Sequence, residues 1–290
     1  MTATFALLAA AVLALWLGGE DSSPLRRFFW VVPFVAAMMA GVTAGVLRPL
    51  AFGWIAAFGL ATYSFCGGTR SGGIRLAAAV ALLALAGGLM AHQLPGFNNP
   101  QVISALTFSA DAVPYRLHLN FDKTLVGLFI LGCCHPRIIR GAQWRTLFAR
   151  GWPITAGMLL VLLGLSLASG YVRFDPKFPR ESWLWITVNL CFTCVAEEAL
   201  FRGFIQAQLA RLWGNVVRGG WYALLVSAVL FGLAHAAGGP AYVTLATIAG
   251  VGYGWAYLRT GRIEASILTH FAVNATHFFG FTYPALQAAS

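Results

Sequence analysis

The chain has 290 residues, of which 59% are hydrophobic and only 10% are charged. Soluble globular domains carry about 25% charged residues, so this chain has too few polar side chains to cover a water-exposed surface. The composition excludes a soluble enzyme, a disordered chain and a secreted disulfide-rich domain. It predicts an all-α fold, a polytopic transmembrane helix bundle. In a soluble chain, a net charge of +10 would suggest a protein that binds nucleic acid. In a membrane protein it indicates arginine-rich cytoplasmic loops, so we predict no nucleic-acid partner.

Membrane spans are predicted wherever about 20 mostly apolar residues can cross about 30 Å of hydrocarbon. We predict about ten such spans, within a range of eight to ten because the first and fifth are short. In chain order they are Thr4–Gly18, Phe29–Leu47, Leu50–Cys66, Ile74–His92, Thr124–Cys134, Ile154–Gly170, Trp183–Gly203, Trp221–His235, Ala241–Leu258 and Ile263–Phe279.

The distribution of basic residues predicts the orientation of the bundle. With the N-terminus outside, 13 of the 19 basic residues fall in cytoplasmic segments, as the positive-inside rule requires. We therefore predict an N-out, C-out protein of the cell membrane, and of the inner membrane if the source is bacterial. The 13 are Arg26, Arg27, Arg70, Arg75, Arg137, Arg140, Arg145, Arg150, Arg202, Arg211, Arg218, Arg259 and Arg262.

Two segments between the spans have a character of their own. Asn98–Lys123 is the longest external stretch and is expected on the outer surface. Pro136–Trp152 mixes arginines with apolar residues and is either an interfacial amphipathic helix that touches anionic lipid or a solvated basic loop. The cysteines have neither zinc nor disulfide spacing, so we expect all five to be small packing residues: Cys66, Cys133, Cys134, Cys191 and Cys194.

Charged side chains inside the predicted seventh span indicate a functional site, because burying a charge in the bilayer costs about 2.5–3.5 kcal/mol. Glu198 and Arg202 are four residues apart, so on an α-helix they share a face and can neutralise each other. Glu197 points about 100° away from Glu198. We therefore interpret Glu198 and Arg202 as structural support, and Glu197 as the candidate general base.

Histidines mark the eighth and tenth predicted spans. His235 ends the segment that begins at Phe231, and His270 and Asn274 are four residues apart on one helix face. A single membrane histidine commonly forms only an interhelical hydrogen bond. The combination of polar residues on three apolar spans predicts one inward-facing site. A depth estimate leaves Glu197 far from His235 unless the seventh helix continues past Gly203, through Phe204–Trp213.

At these residues the chain resembles the CPBP family, the CAAX-protease and bacteriocin-processing (Abi) intramembrane endopeptidases. The family pattern is Glu-Glu-x-x-x-Arg, then Phe-x-x-x-His, then His-x-x-x-Asn or Asp. The three motifs appear here in the same order and begin at Glu197, Phe231 and His270. The wider resemblance covers roughly Thr124–Phe279. The resemblance implies a protease core at 124–290, preceded by spans at 1–123 to which the sequence assigns no role.

The resemblance implies hydrolysis of a peptide bond in a membrane-anchored protein or peptide, with the lipid bilayer as the surrounding medium. Glu197 and His235 would activate water, while His270 and Asn274 would stabilise the oxyanion. No cofactor is favoured. If the reaction needs a divalent metal such as zinc, its ligands would be Glu197, His235 and His270, although the His-Glu-x-x-His helix of zincins is absent.

Two other classes of function fit the same residues. Intramembrane glutamates and histidines also form the relays of transporters and of ion- or proton-conducting proteins. No inverted repeat of the kind found in many transporters is visible in the sequence. The second class is a membrane interaction protein that has neither protease nor transport activity and keeps these residues for packing only.

Overall fold

The computed structural model describes residues 2–18, 28–67, 71–138 and 140–287, which are mostly helical. They divide into two compact units that interleave along the chain. The first unit comprises Met1–Pro100, Leu119–Ile139 and Cys191–Leu200; the second comprises Gln101–His118, Arg140–Leu190 and Phe201–Ser290. Arg26, Arg27 and Arg70, which contributed to the predicted orientation, lie outside the described residues.

Each of the ten predicted spans contains one helix. The helices are α1 (Thr2–Ala14), α2 (Val31–Thr43), α3 (Pro49–Cys66), α4 (Gly72–Met90), α5 (Phe121–Cys134), α6 (Gly141–Ala168), α7 (Ser182–Leu212), α8 (Gly219–Leu233), α9 (Gly239–Thr260) and α10 (Ile263–Gly280). Short 3₁₀ turns follow α1 at Leu15–Leu17 and precede α9 at Ala236–Gly238.

Membrane-spanning character is clearest for four of these helices. By length and composition α3, α4, α6 and α7 can each cross a membrane. The pair Gly219–Leu233 and Ala236–Thr260 meets the same criterion jointly, with axes that differ by 54° across the break. Thr2–Leu17 and Val31–Thr43 are apolar but shorter. Within the described residues the structure thus gives a mostly helical membrane protein with four or five candidate spans, and the crossing of all ten helices stays a prediction.

In the first unit α5 packs against α1, α3, α4 and the Val195–Glu198 segment of α7. Leu125, Leu128 and Leu131 on α5 are fully buried. Gly127 allows α5 to lie directly against α7, because a Cβ at this position would come within 3.0 Å of Ala196 Cα. This close approach brings the first turn of α5 to the carboxylates of α7.

A disulfide joins Cys66 and Cys134, the last residues of α3 and α5, whose Cα atoms are 5.4 Å apart. The prediction that all five cysteines are packing residues is therefore wrong for this pair. The two cysteines are 68 residues apart in sequence, and they meet because α3 and α5 run in the same direction with their ends together. Cys191 and Cys194 are buried thiols, as expected.

The second unit contains a β-hairpin that the all-α prediction did not include. Strands β1 (Gln101–Leu106) and β2 (Tyr115–His118) pair antiparallel, with Ile103 opposite Leu117. They lie within the stretch Asn98–Lys123, which the sequence assigned to the outer surface. Two strands of this length leave only a weak alternating pattern beside long apolar helices.

Helices α8 and α9 form an antiparallel pair in the second unit. Their contacts run in opposite directions along the chain, because Gly220 lies against Leu258, Leu224 against Gly254 and Ala228 against Gly250. A Cβ on Gly250 would lie 3.0 Å from Ala228 Cα, so the small residue permits the close approach. This packing holds the end of α8, which precedes His235, beside the start of α9.

The arginine-rich segment Pro136–Trp152 is helical from Gly141 onward, in agreement with the helical form of the two that were predicted. Helix α6 begins at Gly141 and continues without interruption through Pro153 to Ala168. The loop alternative is therefore wrong for Gly141–Trp152, which is the first part of a long helix rather than a separate one. Arg137 lies before this helix and is buried, donating to the carbonyl oxygens of Leu131 and Gly18 at 2.6 and 2.7 Å.

Candidate active site

Helix α7 carries the glutamate pair and extends to Leu212, which confirms the predicted continuation past Gly203. Glu197 and Glu198 are 6% and 0% exposed. They lie in a single α-helical turn, Val195–Glu198, between two π-helical segments, Val188–Cys194 and Ala199–Gln206. π-Helix is rare and concentrates at functional sites. The glutamates therefore occupy an irregular part of an otherwise ordinary apolar helix.

The π-helical segments change the geometry on which the sequence analysis relied. The pairing of Glu198 with Arg202 assumed 3.6 residues per turn, whereas hydrogen bonds in a π-helix join residues five apart. That assumption is wrong over Ala199–Gln206. The division of roles between Glu197 and Glu198 consequently stays a prediction.

Lys123 forms a close ion pair with Glu197 in the first unit. Its Nζ donates to Oε1 of Glu197 at 2.7 Å, and the side chains are only 16% and 7% exposed. Lys123 ends the stretch Asn98–Lys123 that was predicted on the outer surface, and its sequence position did not connect it with the site. No local signal could have done so, since 74 residues separate the two.

The neighbouring residue, Asp122, anchors the start of α5. It is 1% exposed and accepts hydrogen bonds from Asn99 Nδ2 at 2.8 Å and from the backbone N–H of Lys123 at 2.8 Å. His92 Nδ1 lies 2.9 Å from its other carboxylate oxygen. These contacts fix the first turn of α5 and with it the backbone that carries Lys123.

Phe231 is the centre of the polar cluster in the second unit. The ring centroids of His235 and His270 lie 4.7 and 5.7 Å from that of Phe231. The guanidinium carbon of Arg202 lies 4.5 Å from the same centroid. The structure thus places both predicted histidines against one buried phenylalanine, the first residue of the motif Phe-x-x-x-His.

His235 has a defined tautomer when its ring is neutral. Its Nδ1 lies 2.7 Å from the carbonyl oxygen of Phe231. Because a carbonyl oxygen only accepts hydrogen bonds, Nδ1 must carry the proton, and the lone pair lies on Nε2. A fixed Nε2 lone pair is what a group that accepts a proton from water requires.

The residues of the third motif lie on α10 in the second unit. His270 is 4% exposed and stacks on Tyr253, with ring centroids 4.5 Å apart and planes inclined by 15°. Asn274 Nδ2 donates to Asn189 Oδ1 at 3.3 Å. Tyr253 and Asn189 were missed by the sequence analysis, although a polar residue such as Asn189 within an apolar helix is a visible signal.

Arg202 joins α7 to α9. Its side chain is fully buried, and Nη2 donates to the carbonyl oxygen of Gly250 at 2.9 Å. One turn further, Gln206 Nε2 donates to the carbonyl oxygen of Gly254 at 3.0 Å. These two hydrogen bonds hold α9 beside this part of α7. Arg202 is thereby bound to the helix that carries Tyr253.

The described residues do not supply an evident metal site. Among residues 2–18, 28–67, 71–138 and 140–287, no three His, Cys, Asp or Glu side chains are grouped closely enough to hold a metal ion. Of the conditional ligand set, Glu197 lies in the first unit, and His235 and His270 lie in the second.

The long apolar helices, some of which carry buried Glu, Arg or His side chains, define a multi-pass membrane protein. Residues 179–276 match the family described as Rce1-like, type II CAAX prenyl endopeptidase Rce1-like. The matched segment includes every predicted site residue and confirms the resemblance to CPBP endopeptidases. The chain has no match among curated proteins or among solved structures.

Proposed function

We propose that this protein is an intramembrane endopeptidase that hydrolyses a peptide bond of a membrane-associated protein or peptide. The observation that carries the proposal is the placement of His235 and His270 around buried Phe231, within the segment that matches a CAAX prenyl endopeptidase family. Family membership favours hydrolysis over ion transport. The bilayer of a cell membrane, crossed by ten spans, is the proposed location.

In the proposed reaction Nε2 of His235 accepts a hydrogen bond from the water and orients it, while Glu197 takes its other proton and the water oxygen attacks the scissile carbonyl carbon. The C–N bond then breaks, and the proton passes to the leaving amine. His270 and Asn274 donate hydrogen bonds to the carbonyl oxygen while it carries negative charge. Each such donor typically contributes about 10²–10³-fold to kcat. Glu198 and Arg202 support the helices.

We propose that the reaction proceeds without a metal. A divalent metal such as zinc would polarise the carbonyl and acidify a bound water. The residues that would hold it are Glu197, His235 and His270. The metal-free proposal rests on the sequence, which lacks the His-Glu-x-x-His helix of zincins, and on the fixed tautomer of His235, which suits acid–base chemistry.

The first experiment measures cleavage by the purified full-length protein in nanodiscs. The probes are a peptide with a prenylated cysteine near its C-terminus and a peptide with a transmembrane anchor. His235→Asn should lower kcat by about 10²–10⁴-fold, because it removes the Nε2 atom that orients the water. The matched control, His118→Asn, changes an exposed histidine on β2 and should leave kcat unchanged.

The same assay, run with a strong chelator, tests the metal-free proposal. Unchanged cleavage supports it, whereas loss of cleavage that zinc restores would contradict it. An unaffected His235→Asn variant, or failure of the wild type to cleave either peptide while it conducts protons, would overturn the endopeptidase proposal in favour of the transport alternative.

A further inference from the structure

Three arginines converge at one end of the second unit, away from His235. Arg150 lies on α6, Arg259 near the end of α9, and Arg262 just before α10. Arg150 lines two adjoining clefts of about 250 and 320 Å³, which it shares with Arg262 and Arg259 respectively. Three positive charges therefore border a depression made up of these two clefts.

The lining of the two clefts carries positive charge that no acidic lining residue balances. No Asp or Glu lines either cleft. In the described part of the chain, none of the three guanidinium groups takes part in any of the side-chain hydrogen bonds or ion pairs found. The remaining polar lining is neutral and comes from Gln143, Thr146 and Thr260. The depression is thus complementary to an anion rather than balanced within the protein.

The second cleft combines charge with an apolar, aromatic wall. Pro153, Ile154 and Trp255 line it beside Arg150 and Arg259. Trp255 is 42% exposed and has Trp221 as a neighbour, with ring centroids 6.3 Å apart. Tryptophan concentrates at the boundary between hydrocarbon and headgroups. The second cleft therefore has the residue types of a membrane interface, with arginines for a headgroup beside an apolar wall suited to an acyl chain.

We propose that this depression, formed by Arg150, Arg259 and Arg262 with Trp255, binds an anionic phospholipid. The phosphate pairs with the guanidinium groups, which match its geometry, and the first acyl carbons contact Trp255, Pro153 and Ile154. Basic pockets between transmembrane helices bind anionic headgroups in the same way. The site is separate from the proposed endopeptidase residues and does not depend on that function.

The test compares lipid binding by two triple variants of the full-length protein with equal changes in charge. Arg150→Gln, Arg259→Gln and Arg262→Gln are combined in one, and the exposed arginines Arg116→Gln, Arg173→Gln and Arg180→Gln in the control. Native mass spectrometry measures retention of phosphatidylglycerol and of phosphatidylcholine. In the first variant we expect the ratio of retained phosphatidylglycerol to retained phosphatidylcholine to fall by about tenfold to a hundredfold, and in the control we expect this ratio to stay unchanged.

Three results would overturn the lipid proposal. An equal loss in both variants would mean that net charge alone attracts the lipid. Displacement of phosphatidylglycerol by an excess of inorganic phosphate would indicate a site for free anions. Wild-type protein that retains phosphatidylcholine equally well would show that the depression does not select charge.

A different observation, the buried ion pair in the first unit, carries a second inference that rests on the proposed function. We infer that Lys123 is a positioning residue, which sets the orientation of the Glu197 carboxylate for proton transfer. Its Nζ lies 2.7 Å from Oε1, and Asp122 and Asn99 hold the turn of α5 from which it extends. A displacement of about 1 Å at such a group can cost about 10²-fold in rate.

The test uses Lys123→Met and Lys123→Arg in the peptide cleavage assay. We expect Lys123→Met to lower kcat about 10–100-fold with KM unchanged, and Lys123→Arg to restore part of the loss because it keeps a cation near Glu197. Arg116→Met, which removes an exposed cation, serves as the control. Thermal unfolding of each variant separates positioning from folding.

The outcomes distinguish this inference from the proposed function. If the wild type cleaves, Glu197→Gln is inactive and Lys123→Met cleaves normally, only the role of Lys123 is refuted. A loss in Lys123→Met that matches a fall in thermal stability and that Lys123→Arg does not restore would also refute it. If the wild type does not cleave, the proposed function itself fails.

Discussion

Replacing Glu197 with glutamine is expected to lower kcat for peptide cleavage by about 10²–10⁴-fold. Glutamine has nearly the same shape but cannot accept a proton from water at neutral pH. Glu197 is 6% exposed and contacts Lys123 at 2.7 Å, so the substitution also exchanges a charge-assisted contact for a weaker one. Single-turnover kinetics in nanodiscs measures the chemical step, and thermal unfolding checks that the fold is retained.

Glu198→Gln is the matched comparison for this prediction, because the two glutamates are adjacent and both are buried. We expect Glu198→Gln to keep more activity than Glu197→Gln and to lose more thermal stability, in keeping with a supporting role. Equal inactivity in two equally well-folded variants would contradict the division of roles, which rests on α-helical geometry that the π-helical segments interrupt.

Replacing Arg202 with methionine is expected to destabilise the second unit by about 3 kcal/mol or more. The fully buried guanidinium donates to the carbonyl oxygen of Gly250 and lies 4.5 Å from the centroid of Phe231. Methionine fills much of the volume but supplies neither the hydrogen bond nor the charge. Since Phe231 contacts both His235 and His270, cleavage should fall as well.

Thermal unfolding in nanodiscs measures the effect, with Arg211→Met as the control. Arg211 lies on the same helix and is exposed, with a single long contact of 3.5 Å to Gln208, so its replacement should change stability by less than about 0.5 kcal/mol. An Arg202→Met variant as stable as the control would show that the stacked arrangement around Phe231 does not depend on this charge.

The apolar runs in the sequence determined where the helices lie, because only long uninterrupted runs can bury a backbone in lipid. Every predicted span contains a helix, and α7 extends to Leu212 as the depth estimate required. The motif residues could also be found from sequence, since a charged or imidazole side chain in such a run is rare. Arg202, His235 and His270 meet around Phe231 accordingly.

Features that depend on long-range packing could not be predicted in this way. The pairing of Lys123 with Glu197 and of Cys66 with Cys134 joins residues 74 and 68 positions apart, and no local pattern marks either pair. The π-helical segments of α7 leave the composition unchanged and shift only the hydrogen-bond register. Arg137 looked like an interfacial charge, yet it caps the end of α5 through the Leu131 carbonyl.

The bond between Cys66 and Cys134 bears on which compartment this end of the first unit faces. Disulfides persist in the periplasm, the secretory lumen or the extracellular space, whereas thioredoxin and glutathione keep cytosolic thiols reduced. Both cysteines end helices whose following segments the arginine distribution assigns to the cytosol. Redox chemistry thus argues for the reverse orientation of α3 and α5, with their carboxyl ends on the oxidising side.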